Sequence, residues 1–330
     1  MEKYKNINFE SETRDTEVDN SVEAETFFDF TEWGLNGKWL KLSTKDGKTV
    51  EGAYYQSGES NNEVIVFHPG LPGDTVVRFE EDFVGGLLDQ GYDVFVARHN
   101  GLQNLADNEA LFHNKSRVGK EEDISGESLD WFNEPQVSIS YFAQQEKPIT
   151  LITHSFSGTA AANSFIEMAK NGVDSSPAQK VKKWIIASAP IWGVEDNDIL
   201  DPDKNLSVED LRNACQYFAQ QYTMPVEGGV DKFLEKTLET LRLIDSQIGD
   251  SMPDNTEVIG IYPESDKLVS PKIGTNFFSK LPRGVLLRDK YVPEDESEDG
   301  HDFKSTRAED LLRIIKLKTS KSKHTFDINK

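Results

Sequence analysis

The chain of 330 residues has a single cysteine, Cys215, which excludes an intramolecular disulfide and a cysteine-based metal cluster. Cys215 falls on an apolar helical pattern, where a buried structural thiol is expected rather than a nucleophile. No apolar run approaches the roughly 20 residues that a membrane-spanning helix needs. The opening Met-Glu-Lys-Tyr-Lys-Asn lacks the basic-then-apolar pattern of a secretory signal, so a soluble, cytoplasmic protein is expected. Basic residues are scarce: 36 Lys and Arg face 58 Asp and Glu, a formal net charge of −22. Such a surface repels phosphate backbones and anionic lipid headgroups, which disfavours nucleic-acid and membrane partners. A Gly-rich nucleotide signature is missing too, which leaves a dinucleotide oxidoreductase without support. There is no internal repeat and no low-complexity tract.

What is present is an alternation of short apolar runs with helical patterns. Residues 1–30 are acidic and without clear periodicity, so a partly disordered extension is expected. Lys38 to Thr44 and Thr49 to Tyr55 read as strands joined at Asp46-Gly47, a hairpin turn. Buried strands follow at Glu63 to Phe67, Asp93 to Ala97, Ile149 to Thr153, Val181 to Ala189, Glu257 to Tyr262 and Gly284 to Leu287. Helices are expected at Phe79 to Gln90, at Ile124 to Gln145 with Pro135 interrupting it, and from Thr306 to Lys318 behind a Thr306/Glu309 capping box. Strands alternating with helices imply an α/β class, a mostly parallel sheet covered on both faces.

From Val194 to Asn255 only helical periodicity appears, in the stripes Leu211, Ala214, Cys215, Phe218 and Leu234, Leu238, Leu241, Ile244, Ile248. A block of that length is too long for a loop and reads as a helical insertion. The organisation is therefore a core at 31–193 and 256–320, an insertion at 194–255 and a basic tail at 321–330.

The chemistry centres on Ile149 to Ala162, where an apolar strand breaks at His154-Ser155-Phe156-Ser157-Gly158 and a small-residue helix starts at once. A serine on such a turn projects its hydroxyl above the sheet, beside the free N–H groups of the helix start, which can hold an oxyanion. A serine hydroxyl needs a base to act as a nucleophile, and a carboxylate to orient that base.

Six histidines are available. His154 adjoins Ser155 on a sharp turn and points away from it, His68 shapes the loop after its strand, and His99, His113 and His324 lack a distinguishing context. His301 follows Glu-Asp-Gly in the loop after the last strand, where it can reach Ser155. Asp266 lies beyond the carboxyl end of Glu257 to Tyr262, with Glu264 a close rival and Glu195, Asp196 and Asp198 more distant ones.

With these residues the chain resembles the α/β-hydrolase fold, in which the chain order is serine, acid, histidine. The outer positions of the turn are Thr153 and Ser157, with a glycine one place further on at Gly158. The resemblance maps the oxyanion loop onto His68-Pro69-Gly70-Leu71 and implies an oxyanion hole formed by the backbone N–H groups of Leu71 and Phe156. Pro72 has no N–H to offer, which narrows the choice toward Leu71. It also implies that the insertion is a lid bounding the pocket, with Phe218, Tyr222, Phe233, Met224 and Leu241 as substrate-lining candidates or as the lid's own core.

These features point to a serine hydrolase acting on a small-molecule ester, thioester or amide through an acyl-enzyme, with Ser155, His301 and Asp266 as the triad. Such chemistry needs no cofactor and no metal. An acyltransferase or peptidase of the same fold would carry the same residues. A binding protein that has kept the fold but lost catalysis is the alternative from outside enzymology. A dehalogenase-like reaction would want an aspartate in place of Ser155. Substrate identity and oligomeric state are not legible in the sequence.

Overall fold

The computed structural model describes residues 21–29, 36–70, 77–99, 128–170, 172–191, 199–201, 206–221, 229–266, 268–269, 277–289, 300–301, 308–316 and 326–327. Strands β1 (Val22–Asp29), β2 (Gly37–Thr44) and β3 (Thr49–Tyr55) form an antiparallel meander. Gly47, at a φ of 87°, makes the β2–β3 turn. Next come β4 (Val64–His68), α1 (Val77–Leu88), β5 (Asp93–Arg98), α2 (Glu134–Gln144), β6 (Ile149–His154), α3 (Phe156–Ala169) and β7 (Val181–Ala187). A short hairpin of β8 (Ile199–Asp201) and β9 (Leu206–Ser207) leads into α4 (Val208–Gln221) and α5 (Gly229–Ser251). The chain then returns through β10 (Glu257–Pro263), β11 (Gly284–Asp289), α6 (Ala308–Lys316) and β12 (Phe326–Asp327).

Among the described residues ten strands form one sheet, in the order β1-β2-β3-β5-β4-β6-β7-β10-β11-β12. From β5 to β12 every neighbouring pair is parallel, so the carboxyl ends of β4, β6, β7 and β10 lie along one edge. The period-2 alternation of the strands divides the core in two. Val64, Val66, Leu151, Trp184, Ile186 and Val258 pack under α2, α3 and α5. Ile65, Phe67, Ile152, Ile185, Ile259 and Ile261 pack under α1 and α6, against Phe83, Leu87, Leu311 and Ile314. The fold is the expected mostly parallel sheet with helices on both faces.

Several local expectations need correction. Pro135 does not interrupt a helix; it sits in the first turn of α2, where its missing N–H has no intrahelical partner to lose. Residues 22–29, inside the expected extension, pair along β2 as an edge strand whose Glu23 and Glu25 are exposed. Within the basic tail, Phe326 and Asp327 pair with Leu287 and Arg288. The insertion holds the β8–β9 hairpin, where only helix was expected. Ala214, placed in the apolar stripe of α4, is exposed, whereas Leu234, Leu241, Ile244 and Ile248 of α5 are buried as their spacing requires. Residues 124–127, 192–198 and 302–307 lie outside the described residues, as does the capping box at Thr306.

At the opposite edge from the strand carboxyl ends, Asp93 accepts hydrogen bonds from Tyr54 (3.0 Å) and from the Lys147 ammonium, while its second oxygen takes the Ser57 N–H at 3.0 Å. Burial, then the Asp93 charge, pushes the Tyr54 phenol far above its ordinary value. The end of β3 and the starts of β5 and β6 are tied by this one carboxylate. Removing it strands a largely buried ammonium, and Asp93→Ala is expected to cost about 3–5 kcal/mol in a urea unfolding titration.

His68, wholly buried at the end of β4, meets the Ser138 hydroxyl at 2.8 Å. Ser138 donates its own proton to the Pro135 carbonyl (3.1 Å), so His68 Nε2 is the donor in that contact. Burial, with help from nearby His99, lowers the His68 pKa from 6.5 to about 3. The unfolded chain therefore binds a proton that the native one refuses between those values. Stability is expected to fall as pH drops below 6.5, by up to about 1.4 kcal/mol per unit from this group. His68→Gln, which keeps the donor to Ser138, is expected to flatten that slope in pH-dependent denaturation.

Candidate active site

Strand β6 stops at His154 and helix α3 starts at Phe156, so Ser155 alone makes the turn. Its φ of 50° and ψ of −128° are forbidden ground for most side chains and cost about 1–3 kcal/mol. The turn holds because its surroundings leave it no alternative. Ser155 donates its N–H to Ala187 at the end of β7 (2.9 Å), and its carbonyl accepts the Gly158 N–H at 2.9 Å. A Cβ on Gly158 would stand 2.3 Å from the Ala189 Cβ, so only glycine lets α3 start this close to the strand exit.

Thr153 is accommodated despite its bulk, since its buried hydroxyl accepts the Trp184 indole N–H at 3.0 Å. The Ser157 hydroxyl donates to the Pro69 carbonyl and so fastens the exit of β4 to the turn. The next residue, Gly70, lies directly against Ser155: a Cβ there would lie 2.7 Å from the Ser155 Cβ.

His301 is buried with its Nε2 2.9 Å from Ser155 Oγ and its Nδ1 3.0 Å from Asp266 Oδ2. A carboxylate only accepts, so Nδ1 carries the proton and Nε2 is left to accept from the serine hydroxyl. Asp266 has no exposed surface, and its other oxygen accepts the N–H groups of Leu268 and Val269, both at 2.8 Å. Burial raises the Asp266 pKa, but the hydrogen bond and charge of His301, the Val269 N–H and the Ser188 hydroxyl outweigh it, and the net shift is downward.

The His301 loop is clamped on the acid's loop through Gly300, whose Cβ would fall 2.1 Å from Ser265 Oγ and 3.0 Å from the Asp266 nitrogen. The structure thus brings together Ser155 from the end of β6, Asp266 from beyond β10 and His301 from beyond β11. Glu264 is exposed. His113, His324, Glu195, Asp196 and Asp198 lie outside the described residues, as do Leu71, Tyr222, Met224 and the side chain of Phe218. Phe156, the first residue of α3, has a backbone N–H with no carbonyl of its own helix to bond.

Phe233 of α5 is buried, with its ring 5.6 Å from Phe156, 5.7 Å from Phe132 and 6.1 Å from Trp131. Helix α5 is thereby packed beside the Ser155 turn through aromatic contacts. Two histidines acquire roles the sequence did not reveal. His99 Nδ1 lies 2.6 Å from the Glu134 carboxylate, both groups buried, and the ring stacks on Trp131 at 5.0 Å. His154 Nε2 lies 2.8 Å from the backbone carbonyl of His301. The position of His99 just past a strand end was its one signal. Ser188, buried at a φ of 49° just past β7, is a second strained serine beside the acid. Among the described residues no group of three or more His, Cys, Asp or Glu could hold a metal ion, and no helix is long and apolar enough to cross a membrane.

No protein-family model matches the sequence, and no curated protein does. Solved structures do resemble it. An esterase from Exiguobacterium antarcticum is 17% identical with a TM-score of 0.48, over 84% of this chain and 99% of the esterase. A soluble variant of monoglyceride lipase from Saccharomyces cerevisiae is 13% identical with a TM-score of 0.47, over 81% and 92% of the two chains. A Pyrococcus furiosus esterase is 12% identical with a TM-score of 0.46, over 80% and 85%. The parallel sheet sandwiched by helices, the serine on a strained strand-to-helix turn and the chain order serine, acid, histidine define the architecture: the chain has the α/β-hydrolase fold.

Proposed function

We propose that this protein is a serine hydrolase cleaving an ester, thioester or amide of a small molecule through an acyl-enzyme. The observation that carries the reading is the unbroken chain Ser155 Oγ to His301 Nε2 (2.9 Å) and His301 Nδ1 to Asp266 Oδ2 (3.0 Å), ending in a buried carboxylate. His301 takes the hydroxyl proton as Ser155 attacks the carbonyl carbon, and returns it to the leaving group. A water deprotonated by the same imidazole then releases the acyl group. Asp266 keeps its charge throughout and holds the imidazole in the tautomer that leaves Nε2 free. The tetrahedral oxyanion is held by the Phe156 N–H at the start of α3 and, as the fold implies, by that of Leu71. The segment carrying α4 and α5 is the cap of the acyl pocket, with Phe233, packed on Phe156, at its inner end.

A chromogenic ester series from acetyl to long-chain acyl tests this reading and ranks the pocket's preference. Ser155→Ala is expected to lower kcat by about 10⁴-fold or more. Asp266→Asn, which favours the wrong imidazole tautomer, is expected to cost about 10⁴-fold, while Glu264→Gln leaves kcat unchanged. Turnover that survives Ser155→Ala, or damage from Glu264→Gln exceeding that from Asp266→Asn at equal stability, would sink the assignment.

A further inference from the structure

The His301 imidazole is held at both of its nitrogens, but an imidazole on a loop also needs its backbone fixed. The turn supplies that anchor from the residue beside the nucleophile. A carbonyl oxygen only accepts, so the 2.8 Å contact between His154 Nε2 and the His301 carbonyl requires the proton on His154 Nε2. His154 itself cannot drift: it is the last residue of β6, in register with Ala187 of β7, and its ring packs against Gly70, where a Cβ would lie 3.0 Å from Nδ1. The two histidine rings stand 5.1 Å apart, side by side rather than in competition for Ser155.

From this geometry we infer that His154 is a positioning residue, which sets the distance between nucleophile and base by tying the His301 backbone to the nucleophile's own strand. The inference rests on the hydrolase reading for its catalytic consequence but not for its structural one. One side chain bridges residues 147 apart in sequence, and it originates at the residue bonded to Ser155. Any shift of β6 therefore moves serine and histidine together. Gly300 clamps the same loop on the acid side, so His301 is registered to both of its partners through its backbone as well as its ring. The arrangement also explains why a histidine stands next to the nucleophile although it points away from the hydroxyl.

Three substitutions separate this role from bulk packing. Gln places an amide N–H where His Nε2 stands, Asn places one only as far as Nδ1, and Leu fills the space with no donor. With a chromogenic ester, His154→Leu and His154→Asn are expected to lower kcat by about 100-fold, the cost of a misplacement near 1 Å, with KM little changed. His154→Gln is expected to restore most of the rate.

A second readout needs no turnover: the downfield proton resonance of His301 Nδ1–H, bonded to Asp266, should broaden or vanish in the Leu and Asn variants and persist in Gln. Wild-type kcat together with an unchanged resonance in His154→Leu would overturn the inference. Should the wild-type protein hydrolyse no ester, the hydrolase reading fails. The resonance pattern across the three variants then decides the positioning role alone: loss in Leu and Asn supports it, and persistence in all three overturns it.

Discussion

The structure depends on one backbone constraint, the strained positive-φ conformation of Ser155 between β6 and α3. A strained residue persists only where its neighbours over-determine it. Here that work is shared by an N–H bond to β7, the absence of a side chain at Gly70 and Gly158, and the Ser157 hydroxyl on the Pro69 carbonyl. Each of these contacts also places something the proposed chemistry would use. The bond to Ala187 fixes the height of the serine above the sheet, Gly158 lets the helix N-terminus approach, and Ser157 draws the β4 exit over the hydroxyl. Strain at one residue is thus offset by contacts that assemble the rest of the site.

Burial of charge follows the same economy of position. Two imidazole–carboxylate pairs lie at the carboxyl ends of the strands, His301 with Asp266 and His99 with Glu134. Only the first touches Ser155. The second is stacked on Trp131 and braces the aromatic cluster of Trp131, Phe132, Phe156 and Phe233, through which α5 rests on the Ser155 turn. Carboxylates are cheap in so acidic a chain, and their number says nothing about function. What distinguishes Asp266 is its bond to the one imidazole that reaches Ser155, whereas its neighbour Glu264 is exposed.

Much of this was legible in the sequence, for physical reasons that can be named. Parallel strands buried on both faces appear as continuous apolar runs, and each of the six expected buried strands is found. Ser155 and Asp266 could be picked out because each stands just past such a run, and His301 because it lies in the segment between the last such run and the closing helix. Edge strands gave no comparable signal: β1 and β12 are joined to the sheet by backbone pairing, and neither a two-residue strand nor one carrying exposed Glu23 and Glu25 shows a continuous apolar run. Pro135 was misplaced because a proline that starts a helix and one that breaks it look alike until the start is known. The bond of His154 to a carbonyl 147 residues away is a product of tertiary structure and has no local signature. The acceptance of Thr153 likewise rests on Trp184, one strand over.

The central claim is that Ser155 is a nucleophile activated by a buried imidazole–carboxylate pair. The most direct measurement is reaction of the intact protein with a fluorophosphonate, followed by intact mass and peptide mapping. The account predicts one adduct per chain, on Ser155, formed far more slowly in His301→Ala. A folded protein that takes up no adduct, or one modified at another residue, would contradict it.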